Sequence, residues 1–182
     1  HTRYWRDWSS DVCSSDLVVE DAEDVGADAM KDLVGLGWRP ELAAGILSHL
    51  SDIEVVEVIA DDYFDAPRKI RRSLTTLAAQ VPVMLHGVSL GMASCSPVET
   101  KRLDGMARLV NEVRPVAWSE HLAFVRAGGI EIGHLAAPPR NAETVAATAA
   151  NLARARKIVG SSPQIENIAT LIDPPASTLR SE

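Results

Sequence analysis

Short apolar runs alternate with amphipathic helical segments along most of this chain, and this alternation constrains the fold more than any other feature. The apolar runs are Leu33–Gly37, Ile53–Ala60, Val81–His86, Pro115–His121 and Pro163–Ile168. They recur at a spacing of roughly 30 to 45 residues, with a helical pattern between them. Such alternation is typical of right-handed βαβ units. The sequence therefore predicts an α/β fold built on a parallel sheet.

Local signals predict where several other elements begin and end. Pro40 predicts a helix start and an amphipathic helix over Glu41–Leu50, and Pro97 predicts the start of a helix that runs to about Val113. The pair Gly128–Gly129 predicts the turn of a small hairpin that ends near residue 132. Asn141, with an acidic first turn after it, predicts the cap of an alanine-rich helix that ends at Gly160.

Both ends of the chain differ in character from the rest. Residues 1–17 have no apolar periodicity, and Asp11–Leu17 resembles a translated sequencing adapter, as does Arg180–Glu182. We therefore interpret 1–17 and 180–182 as non-native flanks and 18–179 as the N-terminal part of a single domain. Cys95 is then the only native cysteine, which favours a reducing compartment such as the cytoplasm.

Charge and hydropathy argue against two classes of partner. The formal net charge is −7, which is unfavourable for binding nucleic acid or an anionic membrane. No apolar run approaches the roughly 20 residues that a membrane-spanning helix needs. We therefore expect neither a nucleic acid nor a membrane as a partner.

Ionisable and amide side chains stand where the predicted strands end. His86 closes the third strand, Glu120 and His121 close the fourth, and Glu166 and Asn167 close the fifth. The carboxyl ends of parallel strands meet at one edge of the sheet, which is the active-site face in a (β/α)8 barrel. We therefore expect the side chains of His86, Glu120 and Glu166 to converge on one point.

The second strand also ends on acidic residues. It runs directly into Asp61 and Asp62, which either cap a turn before the next helix or belong to the site. Alternation places Glu57 on the same face as Ile59, so that Glu57 faces either solvent at a sheet edge or the interior of a barrel with a polar centre.

Converging carboxylates, imidazoles and an amide are most simply explained by a metal ion. Carboxylates that lie close together repel unless protons or cations neutralise them, and this mixture of donors suits Fe, Mn or Zn better than Ca. Two alternatives stay open. One is that these are ordinary turn residues, and the other is a metal-free carboxylate pair for glycoside hydrolysis formed by Glu120 and Glu166, which leaves His86 and Asn167 without roles.

Three linked motifs resemble those of a known enzyme family. The segments are Val83–Gly91, Trp118–Phe124 and Ile165–Ile168. They are similar in order and spacing to the strand-end motifs of the multinuclear non-haem iron-dependent oxidases, which include the methanobactin oxazolone–thioamide synthase. The resemblance implies a TIM barrel of the xylose-isomerase-like group with two or three irons. It also implies O2-dependent modification of a peptide, often at cysteine, with a small partner protein that presents the peptide.

Transferred position by position, the resemblance assigns roles to these residues. It implies that His86, Glu120, Glu166 and Asn167 are metal ligands and that His121 is a ligand or a hydrogen-bond donor to one. The predicted catalytic residues are His121, Asp61 and Asp62. Many members of the family carry His-Ala-Glu-Asn-Tyr after the second strand, where this chain has Ile59 to Tyr63, so one histidine ligand of the pattern is absent here.

The resulting prediction is a truncated (β/α)8 TIM barrel, about the first five βα units, from an iron-dependent oxidase-like enzyme. The fragment itself is expected to be inactive and unstable, because its first and fifth strands become open edges. Two other functions stay open. One is a sugar isomerase or epimerase that uses Mn or Mg on the same kind of barrel, and the other is a non-catalytic barrel that has lost its metals.

Overall fold

The computed structural model describes residues 32–127, 129–169 and 174–179, and the described residues from Leu33 onward form one compact unit. The predicted flanks 1–17 and 180–182, and residues 18–31 of the predicted domain, lie outside the described residues. In the part that is described, no helix is both long enough and apolar enough to cross a membrane.

Strands and helices alternate in the order that the sequence predicts. They are β1 (Gly35–Gly37), α1 (Ala43–Ser48), β2 (Val55–Ile59), α2 (Asp61–Phe64), α3 (Arg68–Ala78), β3 (Val83–Gly87), α4 (Thr100–Val113), β4 (Ala117–Leu122), β5 (Phe124–Ala127), β6 (Ile130–Ala136), α5 (Ala142–Val159) and β7 (Gln164–Asn167). Short 3-10 turns, Pro40–Leu42 and Leu50–Asp52, flank α1. The predicted helix over Glu41–Leu50 is therefore divided into two turns and a short helix.

Five strands form one parallel sheet in the order β1-β2-β3-β4-β7, and each neighbouring pair is joined by helical segments. The strands β5 and β6 form a separate antiparallel hairpin between β4 and α5. This arrangement confirms the predicted α/β fold and matches part of a (β/α)8 barrel. The hairpin is also confirmed, although β6 extends to Ala136, four residues beyond the predicted end.

The two faces of the sheet have different surroundings. On β2 and β3, the side chains of Val56, Val58, Val83 and Leu85 are almost fully buried in the hydrophobic core. The alternate positions on β2, including Glu57, are only half-buried. The helices therefore cover one face, and the other face carries the polar side chains that the site uses.

The longest helix has the ends that its sequence predicts. The side chain of Asn141 caps α5 by accepting a hydrogen bond from the Thr144 N–H at 2.9 Å. Gly160 ends the helix at a φ of 91°, a left-handed conformation that glycine adopts without a steric penalty. The helix α4 begins at Thr100, three residues after the predicted start at Pro97.

Asn151 of α5 holds the loop that follows β3. Its Oδ1 accepts a hydrogen bond from the Val98 N–H at 3.1 Å, and its Nδ2 donates to the carbonyls of Met92 and Ser94 at 3.1 and 2.9 Å. The side chain is buried, so no water can replace these bonds at low cost. One amide side chain thus fixes a loop that starts at the functional edge of the sheet.

The substitution Asn151→Ala is expected to lower the free energy of unfolding by about 2 to 4 kcal/mol, because it leaves buried backbone groups without hydrogen-bond partners. The matched control is Asn111→Ala, an exposed position in α4, which should change the free energy by less than about 0.5 kcal/mol. Chemical denaturation followed by circular dichroism measures both values. Equal effects at the two positions would contradict the proposed role of Asn151.

The carboxyl group of Glu120 lies close to Gly87, its partner in the register of β3 and β4. A Cβ atom added at Gly87 would lie 2.6 Å from Glu120 Oε2 and 3.2 Å from Met106 Cε. The missing side chain therefore leaves the space that the Glu120 carboxyl group fills.

We expect Gly87→Ala to destabilise the fold by about 1 to 3 kcal/mol, because the added methyl group overlaps a buried carboxyl group. Gly45→Ala in α1 meets no atom within 4 Å and should stabilise the fold by up to about 1 kcal/mol through helix propensity. Opposite signs in a denaturation experiment would support the close approach at Gly87. A neutral Gly87→Ala would refute it.

Candidate metal centre

His86 ends the third parallel strand and points to the face of the sheet that the helices leave uncovered. Its Nδ1 lies 2.7 Å from Ser119 Oγ, on the neighbouring strand. Burial lowers the pKa of His86, although the charges of Glu57, Glu166 and Asp61 act in the opposite direction. A neutral imidazole has a free lone pair and can therefore act as a metal ligand.

His121 and Glu166 complete a compact group around His86. The two are partners in the register of β4 and β7. Glu166 Oε2 lies 3.7 Å from His86 Nε2 and 3.8 Å from His121 Nε2. The two imidazole rings meet edge to face, with centroids 4.6 Å apart. One ligand atom from each of the three residues lies within 4.8 Å of the other two.

The chemistry of this group fits a transition metal. Two imidazole nitrogens and one carboxylate oxygen form the donor set that non-haem iron sites use, and the remaining coordination positions stay open. His121 Nδ1 is buried and has no hydrogen-bond partner among the described residues. Buried polar atoms of this kind call for a specific explanation, which is often an ion or a water. The described residues contain one group of metal-ligating side chains, and it is this one.

Glu120 lies on the opposite face of β4. Its neighbours in the register are Gly87 and Ile165, whereas His121 is paired with Glu166. The side chain is completely buried, and its two carboxyl oxygens accept hydrogen bonds from the N–H groups of Leu90 and His121, at 3.1 and 3.0 Å. To reach His86, Glu120 would have to change its conformation and give up both bonds.

The environment of Glu120 favours its neutral form. Burial, and then the charge of Asp61, raise the pKa of Glu120 to about 8, even though the two N–H donors and Arg126 act to lower it. Glu120 therefore supports the loop after β3, because it accepts a hydrogen bond from the Leu90 N–H in that loop. Its predicted role as a metal ligand stays a prediction.

The remaining predicted residues are placed around this group but outside it. Asn167 is paired with Leu122, so it lies on the opposite face of β7 from Glu166. Asp61 opens α2 and accepts hydrogen bonds from the Val88 N–H at 2.9 Å and from the Ser89 hydroxyl. Asp62 is exposed on the same short helix. Both aspartates lie in the first turn of α2, and neither caps a helix, because the N-caps of α2 and α3 are Ala60 and Pro67. Asp61 also touches the loop next to the site.

Two residues near the site were not identified from the sequence. Ser119 precedes His121 by two positions and therefore shares its face of the strand, a relation that period-two alternation could have revealed. Arg126 of β5 donates hydrogen bonds to the carbonyls of Ser89 and Leu90, at 2.7 and 3.1 Å. No pattern in the sequence indicates this contact, because the hairpin folds back over a loop that is 36 residues earlier.

Comparisons with known proteins identify a family and several relatives. A family model described as "RiPP precursor modification enzyme MbnB/TglH/ChrH" matches residues 33–182. A UPF0276 protein of Streptomyces avermitilis is 33% identical over 153 residues, which cover 80% of this chain and 31% of the relative. A UPF0276 protein of Acaryochloris marina is 31% identical over 134 residues, which cover 74% of this chain and 48% of the relative.

A third relative has a lower identity and a similar coverage. A UPF0276 protein of Pasteurella multocida is 26% identical over 147 residues, which cover 80% of this chain and 48% of the relative. The chain thus spans about half the length of these curated relatives, or less. The family match contains every strand and helix described above and confirms the resemblance that the motifs predicted. This chain belongs to the MbnB/TglH/ChrH family of enzymes that modify the precursors of ribosomally synthesised and post-translationally modified peptides (RiPPs).

Proposed function

We propose that this protein is a non-haem iron-dependent oxidase that uses O2 to modify a peptide, and that His86, His121 and Glu166 hold iron. The observation that carries the proposal is the convergence of three ligand atoms within 4.8 Å of one another. Non-haem Fe(II) oxygenases hold their metal with two histidines and one carboxylate. Iron at this position would supply the redox chemistry with oxygen, while the protein would orient the peptide and exclude competing reactions.

The family suggests the substrate. A relative of RiPP precursor modification enzymes is expected to act on a precursor peptide, and we propose cysteine as the residue most often modified. We further propose that a small partner protein presents the peptide and that the reaction takes place in the cytoplasm.

The number of irons depends on residues around His86. Ile59 is the partner of His86 in the register of β2 and β3, at the position where many family members carry a histidine. An apolar side chain there supplies no ligand, so the described residues support one iron. The two or three irons implied by the resemblance stay a prediction, as do the roles of Glu120 and Asn167 as ligands and of Asp61 and Asp62 in catalysis.

Ile59 also supports a second candidate function. A barrel that has lost a ligand could retain its fold without catalysis, because Ile59 keeps its place in the register of β2 and β3. A sugar isomerase or epimerase that uses Mn or Mg is a third candidate, and the identity of the bound metal distinguishes it from the oxidase.

Removal of any one of the three ligands is expected to weaken iron binding by about 100-fold or more, because a site with three protein ligands loses one of its bonds. The test compares His86→Ala, His121→Ala and Glu166→Gln after anaerobic loading with Fe2+, using elemental analysis and competition with a chelator. The matched control is His49→Ala, an exposed histidine whose ring contacts the Gly45 carbonyl.

A second pair of variants tests the remaining predicted ligands. Glu120→Gln and Asn167→Ala are measured beside Glu166→Gln, so that three residues at the same edge of the sheet are compared directly. Loss of iron only in Glu166→Gln would assign the carboxylate ligand to β7. Equal iron in wild type, His86→Ala and Glu166→Gln would refute the proposed centre.

The iron-loaded protein is expected to consume O2 when a cysteine-containing precursor peptide is added. This experiment uses the full-length gene product, because the chain spans about half the length of its relatives or less. Oxygen uptake is measured with an electrode and the peptide product by mass spectrometry, with a Cys→Ser peptide as the control. Turnover of aldose sugars with Mn2+, and no oxygen uptake, would favour the isomerase instead.

A further inference from the structure

Ser119 is the neighbour of His86 across the sheet. The two residues are partners in the parallel register of β3 and β4, so their side chains lie on the same face. Ser119 Oγ lies 2.7 Å from His86 Nδ1, and both side chains are buried, at 4% and 6% exposure. A hydrogen bond held by two adjacent strands and shielded from water gives the imidazole a fixed orientation.

The direction of this hydrogen bond determines which ring nitrogen can bind a metal. A neutral imidazole carries one proton, and the nitrogen without it has the free lone pair. If Nδ1 donates to Ser119 Oγ, then Nε2 is unprotonated and can bind a metal. If the hydroxyl instead donates to Nδ1, then Nε2 carries the proton and cannot act as a ligand.

A metal at the candidate centre requires the first of these arrangements. His86 Nε2 is the atom that faces Glu166 Oε2, at 3.7 Å, and it is therefore the nitrogen on the side of the candidate centre. His121 is different, because its Nδ1 has no hydrogen-bond partner in the part of the chain that the structure describes. Of the two histidines, only His86 has a side-chain hydrogen-bond partner among the described residues.

We propose that Ser119 is a positioning residue that accepts a hydrogen bond from His86 Nδ1–H and thereby keeps Nε2 available as the metal donor. The inference rests on the proposed function, since it needs a metal at His86. A partner behind a metal-bound histidine sets its tautomer and ring orientation, and the loss of such a partner typically weakens metal binding 10- to 100-fold. Ser119 acts through His86 and does not itself touch the metal.

The first test measures the Zn2+ affinity of the full-length gene product by competition with a chelator. Ser119→Ala is expected to weaken binding by about 10- to 100-fold, and Ser119→Thr, which keeps the hydroxyl group, should restore most of the affinity. The discriminating comparison is made in the His86→Ala background. There Ser119→Ala should have no further effect, because the residue through which it acts is absent.

A role in general stability would give a different result. It would lower the affinity in both backgrounds, and Ser119→Thr would not restore it. Either outcome would overturn the inference. Binding of Zn2+ by wild type with unchanged affinity in Ser119→Ala would overturn this inference alone, whereas absence of metal binding by wild type would overturn the proposed function and this inference with it.

The second test needs no variant and therefore does not depend on whether Ser119→Ala folds. Two-bond 1H–15N correlation spectra of the wild-type protein report the tautomer of His86, with and without Zn2+. We expect a protonated Nδ1 in both states, and in the Zn2+ state a shift of the Nε2 resonance. A protonated Nε2, or coordination through Nδ1, would overturn the inference.

Discussion

The register between β3, β4 and β7 is the constraint on which the candidate centre depends. Partners in a parallel register lie on the same face of the sheet, and side chains alternate along each strand. His86 is paired with Ser119, His121 follows Ser119 by two positions, and His121 is paired with Glu166. These four residues therefore share one face. A slip of one residue on β4 would bring Glu120 to this face and remove His121 from it.

The same alternation explains the second set of residues at this edge. Glu120 and Gly87 are partners on the face that the helices cover, and Asn167 is on that face of β7. Glu120 and Asp61 accept hydrogen bonds from the N–H groups of Leu90 and Val88, and Arg126 donates to carbonyls of the same loop. At the carboxyl ends of the strands, one face of the sheet thus carries the candidate ligands. Glu120, on the other face, helps to hold the loop that borders these ligands.

Much of this could be predicted from the sequence, and the exceptions have a common physical cause. The alternation of strands and helices, the cap at Asn141 and the end at Gly160 depend on local preferences of the chain, which the sequence states directly. The position of the site at the strand ends follows from parallel pairing. The different roles of Glu120, which supports the loop, and His121, which belongs to the ligand group, could not be predicted. Two adjacent ionisable residues look equivalent until the face of the sheet on which each lies is known.

The ionisable side chains on the two faces are buried to different extents, and this difference affects how a metal could bind. Glu120 is completely buried, and burial raises its pKa to about 8, so the loop is held by a group for which ionisation is costly. The side chain of Glu166, in contrast, is half-exposed in the part of the chain that the structure describes. Burial meanwhile lowers the pKa of His86 and favours its neutral form. A cation entering beside Glu166 would therefore meet an imidazole whose surroundings already favour the neutral form that binds a metal.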